Sequence, residues 1–121
     1  MDELVGRIVS NVGIERPVAE RAVGIILDFL ATEGPADKVQ ALLGRLPGAA
    51  EAIEAARAEG GGLFGGMGGI MGVGSRLMSA GLGMGEIQGV THELIGYARE
   101  KAGDDDLNGI VDAIPGLSQF I

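Results

Sequence analysis

Asp37-Lys38-Val39-Gln40-Ala41-Leu42-Leu43-Gly44-Arg45-Leu46-Pro47-Gly48 and Asp105-Asp106-Leu107-Asn108-Gly109-Ile110-Val111-Asp112-Ala113-Ile114-Pro115-Gly116 carry one apolar pattern twice, 68 residues apart. Val39, Leu42, Leu43 and Leu46 in the first stretch fall on Leu107, Ile110, Val111 and Ile114 in the second. Steps of three and one residues place these side chains on one face of a helix. Each stretch then stops at Pro-Gly, a pair that cannot continue a helix. Outward from this pair, residues 1–53 and 69–121 align without a gap. Val5-Gly6 falls on Val73-Gly74, Gly13 on Gly81, and Ile53 on Ile121. The pattern predicts an all-α chain of five to seven short helices. Two pseudo-repeated bundles pack into one domain, 1–121, joined by the Gly/Met-rich connecting segment 54–68.

The reason for one domain is size. A unit of about 50 residues buries too small a fraction of its surface to stand alone, so the halves are expected to share a core. That core has little aromatic material. Glycine supplies 23 of the 121 residues, there is no Trp, and the aromatic residues are Phe29, Phe64, Tyr97 and Phe120. Aliphatic side chains must fill it, and small residues let helices approach closely.

Along the chain, Leu4, Val5, Ile8 and Val9 form a stripe between Asp2 and Asn11. Pro17, tolerated in a first helical turn, opens a second helix. Its broad apolar face (Val18, Ala22, Ile25, Ile26, Phe29, Leu30) makes it the expected centre. Gly34-Pro35 ends it, and Asp37 opens a third helix that Pro47-Gly48 closes. Ala49 to Glu59, rich in Ala and Glu, is expected to be a fourth, more exposed helix. A helix from about Leu63 to Ser79 would put Leu63, Met67, Ile70, Met71, Leu77 and Met78 on one stripe, with glycines opposite. Glycine resists helix formation by about 1 kcal/mol per residue, so packing must hold this one. Ile87, Val90, Thr91, Leu94 and Ala98 share a face of a helix from Glu86 to Lys101. Asp104 or Asp105 is expected to cap the last one, with acidic residues at the positive end of its dipole.

The function classes narrow by charge and composition. A net charge of −8 repels phosphate backbones and anionic lipid, which argues against nucleic acid. Absence of Cys removes thiol catalysis, disulfides and Cys-ligated zinc. The N-terminal Met1-Asp2-Glu3 has neither a basic stretch nor an apolar core, so a cytoplasmic location is expected.

Three stretches invite chemistry. Asp104, Asp106 and Asn108 match the first three ligand positions of a calcium loop and Asp112 a later one, but Pro115 stands where a bidentate Glu is needed. The preferred reading is an acidic helix start, with a calcium-responsive module as the second alternative. His92 beside Glu93 lacks a nucleophile and a third orienting group, and reads as a solvated surface pair. The glycines of 60–74 lack the preceding strand and the Lys of a phosphate loop. No cofactor is expected and the chain is read as a non-enzyme. The same glycine stretch, with Leu63, Phe64, Met67, Ile70 and Met71, is apolar and uncharged. Methionine adapts to varied surfaces and glycine permits close approach, so these five residues are the candidate contacts of an interaction or assembly protein. A protein partner or self-association is expected. Membrane or lipid association through the same segment is the alternative, although it is too short to span a bilayer alone.

Two helical halves joined by a Gly-rich stretch, closed by Leu46-Pro47-Gly48 and by Ile114-Pro115-Gly116-Leu117, resemble small bacterial proteins of the VcgC/VcgE type. The likeness covers most of the chain and rests on helix ends and glycines. Here the fuller Ile-Pro-Gly-Leu motif follows the Gly-rich stretch instead of preceding it. The resemblance implies an all-α bacterial protein of unknown function and brings no catalytic or cofactor residues.

Overall fold

Helical periodicity and Pro-Gly punctuation translate directly into helices. The computed structural model describes residues 2–58 and 69–114, and the side-chain surroundings of 2–58 and 72–114. Among these residues the chain is all-helical: α1 (Asp2–Val12), α2 (Arg16–Glu33), α3 (Ala36–Arg45), α4 (Ala49–Ala58), α5 (Gly69–Ser79), α6 (Met84–Ala102) and α7 (Asp104–Ala113). Pro17 lies in the first turn of α2, where its missing N–H costs no hydrogen bond. The α6 helix starts at Met84, two residues before the expected Glu86, and Glu86 Oε1 accepts a 2.8 Å hydrogen bond from the Gly83 amide. No Asp side chain caps α7. Gly103 is its N-cap at φ 93°, and Asp104, Asp105 and Asp106 form its acidic first turn. One residue separates α6 from α7, so the reversal needs a left-handed backbone that glycine adopts without strain.

The second helix is central, as its broad apolar face requires. Ten of its residues, including Val23, Ile26, Leu27 and Leu30, are buried, and it packs against α1, α3, α4, α5 and α6. Gly24 permits the closest of these approaches: a Cβ there would stand 2.4 Å from the Ala52 carbonyl oxygen of α4. The core is continuous. Leu4, Leu42, Leu77, Leu94, Leu107 and Ile110, drawn from five helices, are all essentially inaccessible. Burying each such side chain contributes about 1.5–3 kcal/mol.

The three helices α5, α6 and α7 occupy the spans of α1, α2 and α3 shifted by about 68 residues. Gly13 and Gly81, at φ 87° and 105°, turn the chain after α1 and α5. Ile14 and Leu82, one residue on, are both buried. The two ends cross over. The first helix lies mainly on α6 and also touches α2, whereas α5 lies mainly on α2 and also touches α6. No described helix is long and apolar enough to cross a membrane.

Candidate functional site at the docking of α5

The region around α5 combines two features: a buried charge cluster beneath the helix and an exposed apolar corner at its end. Asp28 stands within the apolar run of α2, and its side chain is only 9% exposed. Two arginines satisfy its carboxylate. Arg57 Nε, from α4, donates to Oδ1 at 2.8 Å, and Arg76 Nη1, from α5, donates to Oδ2 at 2.9 Å. Arg76 also donates through Nη2 to the Ala56 carbonyl at 3.3 Å. A single carboxylate thus ties three helices together. Arg76 is nearly as buried as its partner, with 14% of its side chain exposed, while Arg57 reaches water. A buried carboxylate without such partners would carry a large desolvation penalty.

Past Arg76 the helix turns outward. Leu77 is buried, but Met78 is half exposed at 51%, so the two do not share the stripe expected from the sequence. Successive helical residues are separated by about 100°, and that rotation takes Met78 out of the core. Met84, at the start of α6, is 53% exposed. No charged residue occurs from Leu77 to Gly85, so the corner between α5 and α6 is an uncharged apolar surface on an acidic chain.

The residues singled out in the sequence fall in different places. Leu63, Phe64 and Met67 lie outside the described residues, as do the Pro115-Gly116 stop and the tail Leu117–Ile121. Ile70 and Met71 belong to the first turn of α5. Asp104, Asp106, Asn108 and Asp112 are all on α7, a regular helix over this stretch. Helical rotation sets Asp106 about 200° round from Asp104. Arg99 approaches Asp104 at 3.9 Å and donates to Asn108 Oδ1 at 3.4 Å. Among the described residues no three His, Cys, Asp or Glu side chains are grouped to hold a metal ion. His92 is exposed on α6, and the neighbouring Glu93 accepts a 3.1 Å hydrogen bond from Asn11 of α1.

A second polar cluster joins α1 to α6. Arg7 forms a salt bridge with Glu100 and another, at 3.0 Å, with Glu3. The hydrogen bond from Arg7 holds the Glu100 carboxyl below its usual range, and the nearby positive charges add to this. Arg7 and Lys101 both lie 5.4 Å from the centre of the Tyr97 ring. A groove of about 390 Å³ lies between α1, α2 and α4, with Val5, Val23, Ala52 and Ala55 in its lining. On its edge Arg16 bridges Asp2 and Glu20 at 2.8 and 3.3 Å.

Sequence reasoning missed the Asp28 cluster. Its signals were present: a carboxylate inside the apolar run of the central helix, and a lone arginine interrupting a Gly/Met stretch that otherwise lacks charge. The pairing of the two needed the tertiary fold. No known protein family, curated protein or solved structure matches this chain.

Proposed function

We propose that the chain is a non-enzymatic, cytoplasmic interaction or assembly protein, built from two copies of one helical unit. Its working surface is the Gly/Met-rich segment together with the corner between α5 and α6. The duplication is supported by the 68-residue register of helix bounds and by the buried positions that follow it. Ala22 and Val90, Ile26 and Leu94, Phe29 and Tyr97, Leu42 and Ile110 are four such pairs.

The observation that carries the function is the contrast between two corners that each turn at a positive-φ glycine, Gly13 and Gly81. At the α1–α2 corner Ser10 and Arg16 occupy the positions of Met78 and Met84. The first pair is polar and suited to water. The second exposes two large, adaptable thioether side chains on an uncharged surface, next in sequence to a segment of the same composition. Scattered exposed apolar residues are ordinary, but here two exposed methionines flank one short turn with no charged residue between them.

Self-association is the simplest occupancy and gives the test. Light scattering on a sizing column, across micromolar concentrations, should show the wild-type mass rising above 12.3 kDa. The double variant Met78→Ser/Met84→Arg, which copies the other corner, should remain a monomer with unchanged helix content. Equal masses for the two proteins at every concentration would remove the corner from the contact surface. Sedimentation of the wild type alone with neutral lipid vesicles would instead assign the corner to a lipid surface.

A further inference from the structure

The two pseudo-equivalent first helices are held by different chemistry, and the difference falls where it matters most. Over Leu4–Asn11, α1 buries Leu4, Val5 and Ile8, with Val9 partly buried against the same core. Over the corresponding Gly72–Ser79, α5 buries Val73 and Leu77. The positions of Leu4 and Ile8, both fully buried, are held in α5 by Gly72 and Arg76. Gly69, Gly72 and Gly74 also lower the intrinsic helix propensity of α5, whereas α1 contains only Gly6.

Arg76 and Asp28 replace part of the missing apolar contact with a paired charge. A buried ion pair is a poor source of stability compared with well-packed aliphatic side chains, and its best-attested use is to specify one arrangement. The other half dispenses with such a pair: Ile8 and Gly96 stand at the positions of Arg76 and Asp28. With fewer buried apolar side chains over Gly72–Ser79 and a polar attachment there, α5 belongs at the low end of local stability, where elements open without global unfolding.

We propose that α5 is a releasable strap: the Asp28 carboxylate latches it to α2 through Arg76, and it detaches while α1 and α7 stay folded. Release would free Val73, Leu77 and Arg76 for the contact surface argued above, so its functional meaning rests on that reading. Its physical content does not. Arg57 keeps Asp28 paired when α5 leaves, since it bonds the other carboxylate oxygen. The open state therefore does not strand a bare buried charge.

Hydrogen exchange on the intact chain, read by mass spectrometry, tests this without any partner. Amides of 72–79 should exchange at least tenfold faster than those of 4–11. Asp28→Asn should speed the α5 amides by a further tenfold or more and leave 4–11 and 104–113 unchanged. Exchange of α5 and α1 at one common rate would overturn the proposal, as would an equal acceleration of all helices in Asp28→Asn. Should that variant not fold, Arg76→Met keeps the apolar stem, removes the guanidinium and is judged by the same two outcomes. These rates are independent of the masses measured for the Met78→Ser/Met84→Arg variant. Failure of the strap and failure of the interaction surface are thus separately visible.

Discussion

The first helix, α1, and the fifth, α5, sit at the same register 68 residues apart, and each crosses to a long helix, yet they reach that place by unlike means. The α1 helix inserts Leu4 and Ile8, each completely inaccessible to solvent. The α5 helix brings Gly72 and Arg76, and Arg76 meets a carboxylate that α2 keeps for it. At about 1.5–3 kcal/mol for each buried aliphatic side chain, Leu4 and Ile8 together contribute roughly 3–6 kcal/mol of apolar burial that Gly72 and Arg76 do not supply at the matching positions. The lesson is that one helical geometry can be specified either by shape and water exclusion or by a directional charge pair. The first route favours permanence. The second fixes register with less stabilisation.

The sharpest way to break this comparison is to exchange the residues. Ile8→Arg puts a guanidinium where no Asp waits, since Gly96 stands at the Asp28 position. It should cost about 3–5 kcal/mol in urea unfolding, the penalty of an uncompensated buried charge. The reverse change, Arg76→Ile, should cost less, about 1–3 kcal/mol, because Arg57 still bonds Asp28. Tolerance of Ile8→Arg to within 1 kcal/mol would mean that the two helices are not held differently after all.

A smaller effect separates the long helices. Gly24 of α2 lies under α4, so Gly24→Ala must push α4 outward and should cost about 1–3 kcal/mol. Gly96 of α6 is exposed, with nothing near the place of a Cβ. Gly96→Ala should stabilise by about 0.5–1 kcal/mol through the lower entropy of the unfolded chain and better helix propensity. Thermal unfolding of the two variants should therefore move in opposite directions.

The smallest effect concerns the surface contact between α1 and α6. Arg7 lowers the pKa of Glu100 below its ordinary value of 4.5. A depressed folded pKa contributes stability that is present above the unfolded value and is lost as pH falls through the folded one. Wild type and Glu100→Gln should thus differ slightly above about pH 4.5 and converge at more acidic pH. A difference independent of pH would assign the contact to packing of the arginine stem, not to charge.

Much of the architecture was legible in the chain. Period and punctuation located α2 and α3 to within two residues, because Pro-Gly and Gly-Pro stops act locally on the backbone. The spacing of Ile87, Val90, Thr91, Leu94 and Ala98 marked a face of α6 that is buried throughout. The calcium-like spacing shows the limit of motif reading. The four residues match part of a ligand pattern on paper and lie on a helix in space, and helical rotation turns Asp106 away from the face that Asp104, Asn108 and Asp112 share. Met78 shows a second limit. A stripe drawn over a long glycine-rich segment has few fixed points, and a one-residue error in phase turns a buried side chain to water.

Sequence alone determined the all-helical class, the bounds of α2 and α3 and much of the aliphatic core, because these follow from the period of apolar residues and the fixed backbone preferences of Pro and Gly. It also carries one apolar spacing twice, 68 residues apart. Only the tertiary structure decided that α1 and α5 cross over, that Gly24 lets α4 settle on α2, and that Asp28, Arg57 and Arg76 meet. Those contacts join residues 29 and 48 positions apart. Local pattern carries no record of such separations; they are set by how whole helix faces share one dry interior, where a charge is stable only beside its partner.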